Sequence, residues 1–230
     1  MHENVYKPSS ILEYIAATGE KITFKKGEFI YHPGDQASHV FLLEEGQVFV
    51  SRMQEDGKEL VTNFIDKDGI FGAVTLFCGA KEYNTYAKAK TNVVVKKIER
   101  TIFEKEVLDS QVFTTEWMRW LDIDRNRYAS KMRDLMMYGK GGALDSILIR
   151  LSNSFGREVA SGILIDTPLT NQDLAQLCGT SREAVNRMLA VMRETGIVSV
   201  DRKYITIHNL PALKESINCD NCTVDVCQIF

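Results

Sequence analysis

The chain reads as an α+β protein in which a β-roll or barrel, one long helix and a winged helix-turn-helix follow one another. Three observations predict this order. From Ile22 to Ile98, β-branched and aromatic residues alternate or cluster, as in HVFLLEEGQVFVSRM and ELVTNFI. From about Thr114 to Tyr138 the apolar period changes to three and four. The segment LTNQDLAQLCGTSREAVNRMLAVMRETGIVSV then carries the spacing of two short helices crossing at a tight turn. The expected division is residues 1–110 for the roll, 111–138 for the helix and 139–230 for the last domain with its tail.

In the first region Gly27, Gly34, Gly46, Gly57, Gly69 and Gly72 punctuate the strands with the rhythm of hairpin turns in an antiparallel roll. EDGKE, around Gly57, is the clearest hairpin signal, because Asp-Gly suits a type I′ turn. In the second region Trp117, Leu121, Tyr128, Met132 and Leu135 make an apolar seam that Asp124 interrupts. A helix of about 25 residues exceeds the diameter of a small domain, so part of its seam is expected to pack on a second copy of the chain. YGKGGALDS follows, and Gly139, Gly141 and Gly142 permit the positive φ of a helix end, which predicts a hinge.

The third region is the most informative. Thr170 and Asp173 have the spacing of an N-cap and its reciprocal partner. Ala175 is small where two helices must approach closely, Gly179 suits the left-handed turn, and Val185 is the apolar residue that packs the second helix on the first. Together these describe a helix-turn-helix, whose second helix enters the DNA major groove. That helix begins near Ser181 and carries Arg182, Glu183, Asn186 and Arg187 on its polar face. Each arginine can present a fork to guanine O6 and N7, and Glu183 can accept from cytosine N4. Ser181 and Thr180 are better placed for backbone phosphates. Plainer roles stay open: Thr180 and Glu183 also have capping-box spacing, and the arginines suit a solvated helix face. GIVSVDRKYITIHNL reads as a hairpin wing around Asp201, Arg202 and Lys203, with the two cations available to phosphate. Cys178 reads as a small core residue.

Composition sets the outer bounds. Of 230 residues 44% are hydrophobic and 26% charged, ordinary for a globular protein, and the net charge of −3 excludes indiscriminate coating of nucleic acid. No apolar run approaches the roughly 20 residues of a membrane span, and the first residues lack the layout of a signal peptide. A cytoplasmic protein with reduced thiols is expected. Three of its five cysteines, Cys219, Cys222 and Cys227, nevertheless stand close together near the end. Cys219-x-x-Cys222 can bring two thiolates onto one metal, and that spacing is common to zinc and iron–sulfur sites. Enzyme signatures such as H-E-x-x-H, a P-loop, a nucleophile elbow or a dinucleotide fingerprint do not occur.

Glycine-punctuated strands, a long helix and a winged helix-turn-helix containing SREAVNRML resemble the Crp/Fnr family of bacterial transcription regulators over nearly the whole chain. The resemblance implies a cyclic-nucleotide-binding-like roll, a homodimer through the long helix, and palindromic double-stranded DNA as target. It further implies half-sites like TGTGA, through Arg182, Glu183 and Arg187. Cyclic-nucleotide binders of the family carry a glutamate after FG and an arginine further along. Here Ala73 stands in the first place and residues 80–87 hold no arginine, while Lys81 offers only a point charge. Nucleotide binding is therefore not expected. His2, His32, His39 and His208 make no recognisable haem set.

The tail resembles the Gram-positive branch of Fnr. That resemblance implies one 4Fe-4S cluster per protomer, bound by Cys219, Cys222, Cys227 and a carboxylate that matches Asp134. It also implies control of anaerobic respiration and fermentation genes, and contact with RNA polymerase through surface loops, of which Gln54 to Glu59 is a candidate. Loss of the cluster in oxygen is expected to loosen the tail from the hinge and lower DNA affinity. Two rivals stand beside this reading: a same-fold regulator whose zinc or thiol–disulfide tail senses oxidants, and, from another class, a signalling protein that retains a cyclic nucleotide site.

Overall fold

A computed structural model describes residues 5–53, 57–79 and 81–229. The chain divides into two compact units, Tyr6–Asp122 and Ile123–Ile229, and the division falls inside the long helix.

The first unit opens with α1 (Ser9–Thr18), which composition did not announce. Ile11 and Ile15, one turn apart, are fully buried and fix it on the roll. Strands β1 (Glu20–Phe24), β2 (Phe29–Tyr31), β3 (His39–Glu45), β4 (Val48–Met53), β5 (Glu59–Ile65), β6 (Ile70–Gly72), β7 (Tyr86–Ala89) and β8 (Val93–Glu99) follow. They form two antiparallel sheets, ordered β1-β8-β3-β6 and β2-β7-β4-β5. The expected hairpin at Gly57 joins β4 to β5, with Met53 opposite Glu59. Gly46 has φ of 88°, and a Cβ there would meet the Asn92 carbonyl at 2.3 Å, so only glycine fits that turn.

Aromatic side chains fill the roll. Tyr31 stacks on Tyr83 with centroids 3.9 Å apart, Phe41 stacks on Phe71 at 5.2 Å, and the Tyr83 hydroxyl donates to the His39 carbonyl at 2.9 Å. After α2 (Arg100–Asp109) the chain enters α3 (Gln111–Met137). This helix starts earlier than its apolar seam, because the Ser110 hydroxyl accepts from the Phe113 N–H at 3.3 Å. Its Glu116 carboxylate also accepts from the free N–H groups of Ser10 and Ile11 at 3.3 and 3.1 Å, capping α1 from outside. Trp117 is not part of an intermolecular seam: it is buried against Phe103 and Trp120 in the roll's own core. Val112, Met118, Leu121, Met132, Met136 and Met137 of α3 are exposed.

In the second unit the hinge is narrower than its three glycines suggest. One residue, Tyr138, separates α3 from α4 (Gly139–Phe155), and of the three glycines only Gly139, at φ of 62°, has left-handed backbone. Gly141 and Gly142 lie within the helix; a Cβ on Gly142 would meet the Tyr138 side chain at 2.2 Å, so that glycine serves close packing. From Gly142 to Ser152 every residue of α4 is buried, which makes it the axis of this unit. An unforeseen hairpin, β9 (Gly156–Val159) and β10 (Gly162–Ile165), comes next. Then come α5 (Asn171–Cys178), α6 (Arg182–Glu194), β11 (Val198–Asp201), β12 (Tyr204–Ile207) and α7 (Leu210–Ser216). Their sheet has the order β11-β12-β10-β9, so the early hairpin extends the wing.

Candidate nucleic-acid interface and candidate metal centre

Local chemistry builds the helix pair as the spacing predicts. Thr170 caps α5, accepting from the Asp173 N–H at 3.0 Å, while the Asp173 carboxylate accepts from the Thr170 N–H at 2.8 Å. Gly179 ends α5 in the left-handed region, at φ of 62° and ψ of 36°. Ala175, Cys178 and Val185 are buried where the helices meet, and burial pushes the Cys178 thiol up to about 12, as befits an inert core thiol.

Helix α6 buries Ala184, Val185, Leu189 and Met192 and leaves Arg182, Glu183, Asn186 and Arg187 exposed on the other side. The cap of α6 is Ser181, whose hydroxyl accepts from the Ala184 N–H at 3.2 Å; Thr180 does not fill that place. The Thr180 hydroxyl is instead enclosed, with no hydrogen-bond partner among the described residues. Glu183 is fully exposed, and hydrogen bonds from its own N–H and the Ser181 hydroxyl hold its carboxyl below the ordinary value. Its carboxylate therefore favours the first turn of α6 and still faces outward. A partner that sequence reasoning missed is Asn171, whose amide donates to Asn186 Oδ1 across the two helices. The wing turns at Arg202, at φ of 55°, with Arg202 and Lys203 both exposed. The Lys203 carbonyl accepts from the Leu169 N–H at 2.8 Å, which ties the wing to the approach to α5.

The tail lies along α3 and α4 of the same unit. Arg127 Nε donates to the Asp225 carbonyl at 2.5 Å, Asn153 Nδ2 to the Cys227 carbonyl at 2.7 Å, and the Ile229 N–H to Ser154 Oγ at 3.0 Å. Cys219, Cys222, Cys227 and Asp134 all line one cavity, together with Ser130, Arg133, Ser146 and Arg150. Its volume is about 10 Å³, room for about one water molecule. Cys227 is nearly buried, and burial pushes its thiol up. Arg150 pulls in the opposite direction, and Cys219 and Cys222 stand near enough to push it up further.

Asp134 is 2% exposed, unlike the solvated aspartate that a surface helix would show. Arg133 Nε and Nη2 donate to its Oδ1 at 2.9 and 2.7 Å. Ser146 Oγ and Arg150 Nη2 donate to its Oδ2 at 2.6 and 3.1 Å. Two guanidinium groups thus offset both desolvation and an unfavourable position near the helix C-terminus. Arg133 also pairs with Asp220 of the tail. Neither Arg150 nor Ser146 has a sequence signal, because both come from α4, beyond the break in the helix.

The donor set suits an iron–sulfur or zinc group: three thiols and a carboxylate face one cavity, and soft sulfur donors favour such metals. The arrangement is closed, however. Among the described residues no three His, Cys, Asp or Glu side chains converge tightly enough to hold an ion. Loading would require the cavity to widen. Of the other residues singled out by sequence, His39 lies beside Ser38 in the roll, and His208 bridges the Ser161 carbonyl and Ser199 Oγ at 2.6 and 2.9 Å. His2 and the loop residues Gln54, Glu55 and Asp56 fall outside the described residues.

Residues 21–110 match the cyclic nucleotide-binding domain, and residues 144–216 match the Crp-like helix-turn-helix domain. The anaerobic regulatory protein of Bacillus subtilis (strain 168) is 37% identical over 222 residues, 96% of this chain and 93% of that protein. The global nitrogen regulator of Synechococcus elongatus is 29% identical over 196 residues, 85% of this chain and 88% of that one. FixK2 from Bradyrhizobium japonicum superposes with a TM-score of 0.74 at 20% identity, covering 90% of this chain and 99% of FixK2. A CooA mutant from Carboxydothermus hydrogenoformans superposes at 0.75 with 19% identity, covering 90% and 89%. The two solved structures share the fold.

Proposed function

Because this chain belongs to the Crp/Fnr family of DNA-binding transcription regulators, we propose a redox-responsive function for it. It binds palindromic TGTGA-type DNA as a homodimer in the cytoplasm and responds to oxygen through a 4Fe-4S cluster held by Cys219, Cys222, Cys227 and Asp134. The name of the Bacillus relative, anaerobic regulatory protein, supports an anaerobic setting; the targets we propose are genes of anaerobic respiration and fermentation, transcribed by RNA polymerase. One observation carries the proposal, the lining of a single cavity by three thiols and Asp134.

The chain's residues divide the work. Arg182 and Arg187 present guanidinium forks to guanine, Glu183 accepts from cytosine, and Asn186 stands between them on α6. Ser181 orders the first turn that carries them, and Thr180 sits at the turn before it. Arg202 and Lys203 lie at the tip of the wing, in reach of phosphates. The exposed Met118, Leu121 and Met132 of α3 suit a second copy of the helix. Two recognition helices must stand about 34 Å apart to enter successive major grooves, so any change where α3 meets α4 alters binding.

Bound at the tail, a 4Fe-4S cluster would supply an oxygen-labile link between it and α3. Arg127, Asn153 and Ser154 also hold the tail's backbone. In the roll Ala73 is buried, and Tyr31, Phe41, Phe71 and Tyr83 occupy the interior.

Iron, acid-labile sulfide and zinc per protomer, measured in protein purified without oxygen, test the proposal. About four irons and four sulfides, with TGTGA binding that weakens in air, are expected. Zinc with little iron would replace the cluster with a structural or thiol-redox tail and leave DNA binding in place.

A further inference from the structure

Arg150 joins α3, α4 and the tail around the cavity. Its side chain is 2% exposed, and its guanidinium spends each nitrogen on a different part of the site. Nε donates to Ser146 Oγ at 3.2 Å, and Nη1 to the Val226 carbonyl of the tail at 3.1 Å. Nη2 donates to Ser130 Oγ on α3 at 2.8 Å and to Asp134 Oδ2 at 3.1 Å. Ser130 Oγ in turn lies 3.7 Å from the Cys222 sulfur. A guanidinium is planar and forked, so it can hold these groups at fixed angles; an ammonium is a point charge and cannot. A buried cation is retained at a cost unless it is paired, and Asp134 pairs this one.

We propose that Arg150 is the positioning residue of the metal centre, gathering Asp134 and the tail around the cavity before any metal is bound. This rests on the metal-binding reading given above and adds a role for a residue that is not itself a ligand. Through Val226 it fixes the peptide next to Cys227, and through Ser130 it fixes the support of Cys222. On this proposal the tail is an ordered half-site held by Arg150, and loading widens the cavity instead of folding a free tail. The same contact pairs the Asp134 carboxylate where it is buried.

The test uses reduced, metal-free, full-length protein and follows alkylation of each cysteine by iodoacetamide with mass spectrometry. Cys227 is nearly buried and Cys78 exposed, so Cys227 is expected to react at least about tenfold more slowly in the wild type. Arg150→Lys should accelerate Cys227 about tenfold and lower iron or zinc loading by a similar factor. Cys178, buried elsewhere in the same unit, is the control and should keep its rate. A Cys227 rate unchanged in Arg150→Lys overturns the proposal, and so does equal acceleration of Cys178, which would mean general loosening. Should Arg150→Lys fail to fold, Ser130→Ala withdraws one support only, and an unchanged Cys222 rate there is equally fatal. A wild type that binds neither iron nor zinc refutes the metal centre, while the labelling still decides what Arg150 holds.

Discussion

Asn186 shows how one side-chain contact shapes what a recognition helix can read. Its Oδ1 accepts from Asn171, which leaves its amide N–H groups as donors toward a base edge. Asn171→Ala is expected to weaken binding by about 1 kcal/mol and to broaden base preference at one position of each half-site, as measured by titrating singly substituted palindromes. Arg187→Ala should cost about 1–3 kcal/mol and relax the preference for guanine; Lys203→Ala should weaken all sequences alike and reduce the salt slope by about 1. A uniform loss in Arg187→Ala would remove that residue from base readout. These surface residues were legible because a recognition helix displays its readers within two turns. Arg150 and Ser146 were not, since their contacts with Asp134 span 16 and 12 positions and cross a helix break.

At the scale of the element, end chemistry fixes the helix pair more than length does. Thr170→Ala removes one half of the α5 capping box and should lower stability by about 1 kcal/mol, read as a shifted denaturant midpoint with unchanged slope. Gly179→Ala, at φ of 62°, places a Cβ where left-handed backbone disfavours it and should cost about 1 kcal/mol or more. The roll, the long helix and the helix pair were visible in their periods. Helix α1 was missed although Ile11 and Ile15 mark it, because ten residues carry little signal and Glu116, far along the chain, completes its cap. The hairpin of β9 and β10 was missed for a related reason: each strand has four residues, and its pairing with β12 is long-range. Glycine count misjudged the hinge, since close packing explains Gly142 as well as a turn would.

For the whole molecule, charge burial on α3 sets a dependence on pH. Burial raises the Asp124 carboxyl from 3.8 to about 6, against a smaller opposing pull from Arg127. The folded state therefore binds this proton more tightly than the unfolded chain does. Stability falls as pH rises from about 4 to about 6, and the cost is fully present above that range. Asp124→Asn should raise stability by about 1–3 kcal/mol near neutral pH and change little near pH 4, as thermal unfolding at the two values would show. Equal gains at both would assign the effect to something other than ionisation.

The tail is gripped largely by its peptide oxygens: the carbonyls of Asp225, Val226 and Cys227 accept from Arg127, Arg150 and Asn153. A grip on the main chain is indifferent to the side chains it carries. Position 226 is thus free to drift among related sequences, while the three gripping residues, scattered over α3 and α4, must persist together. Such a segment would look poorly preserved when homologues are compared letter by letter, and yet hold the same course in each of them.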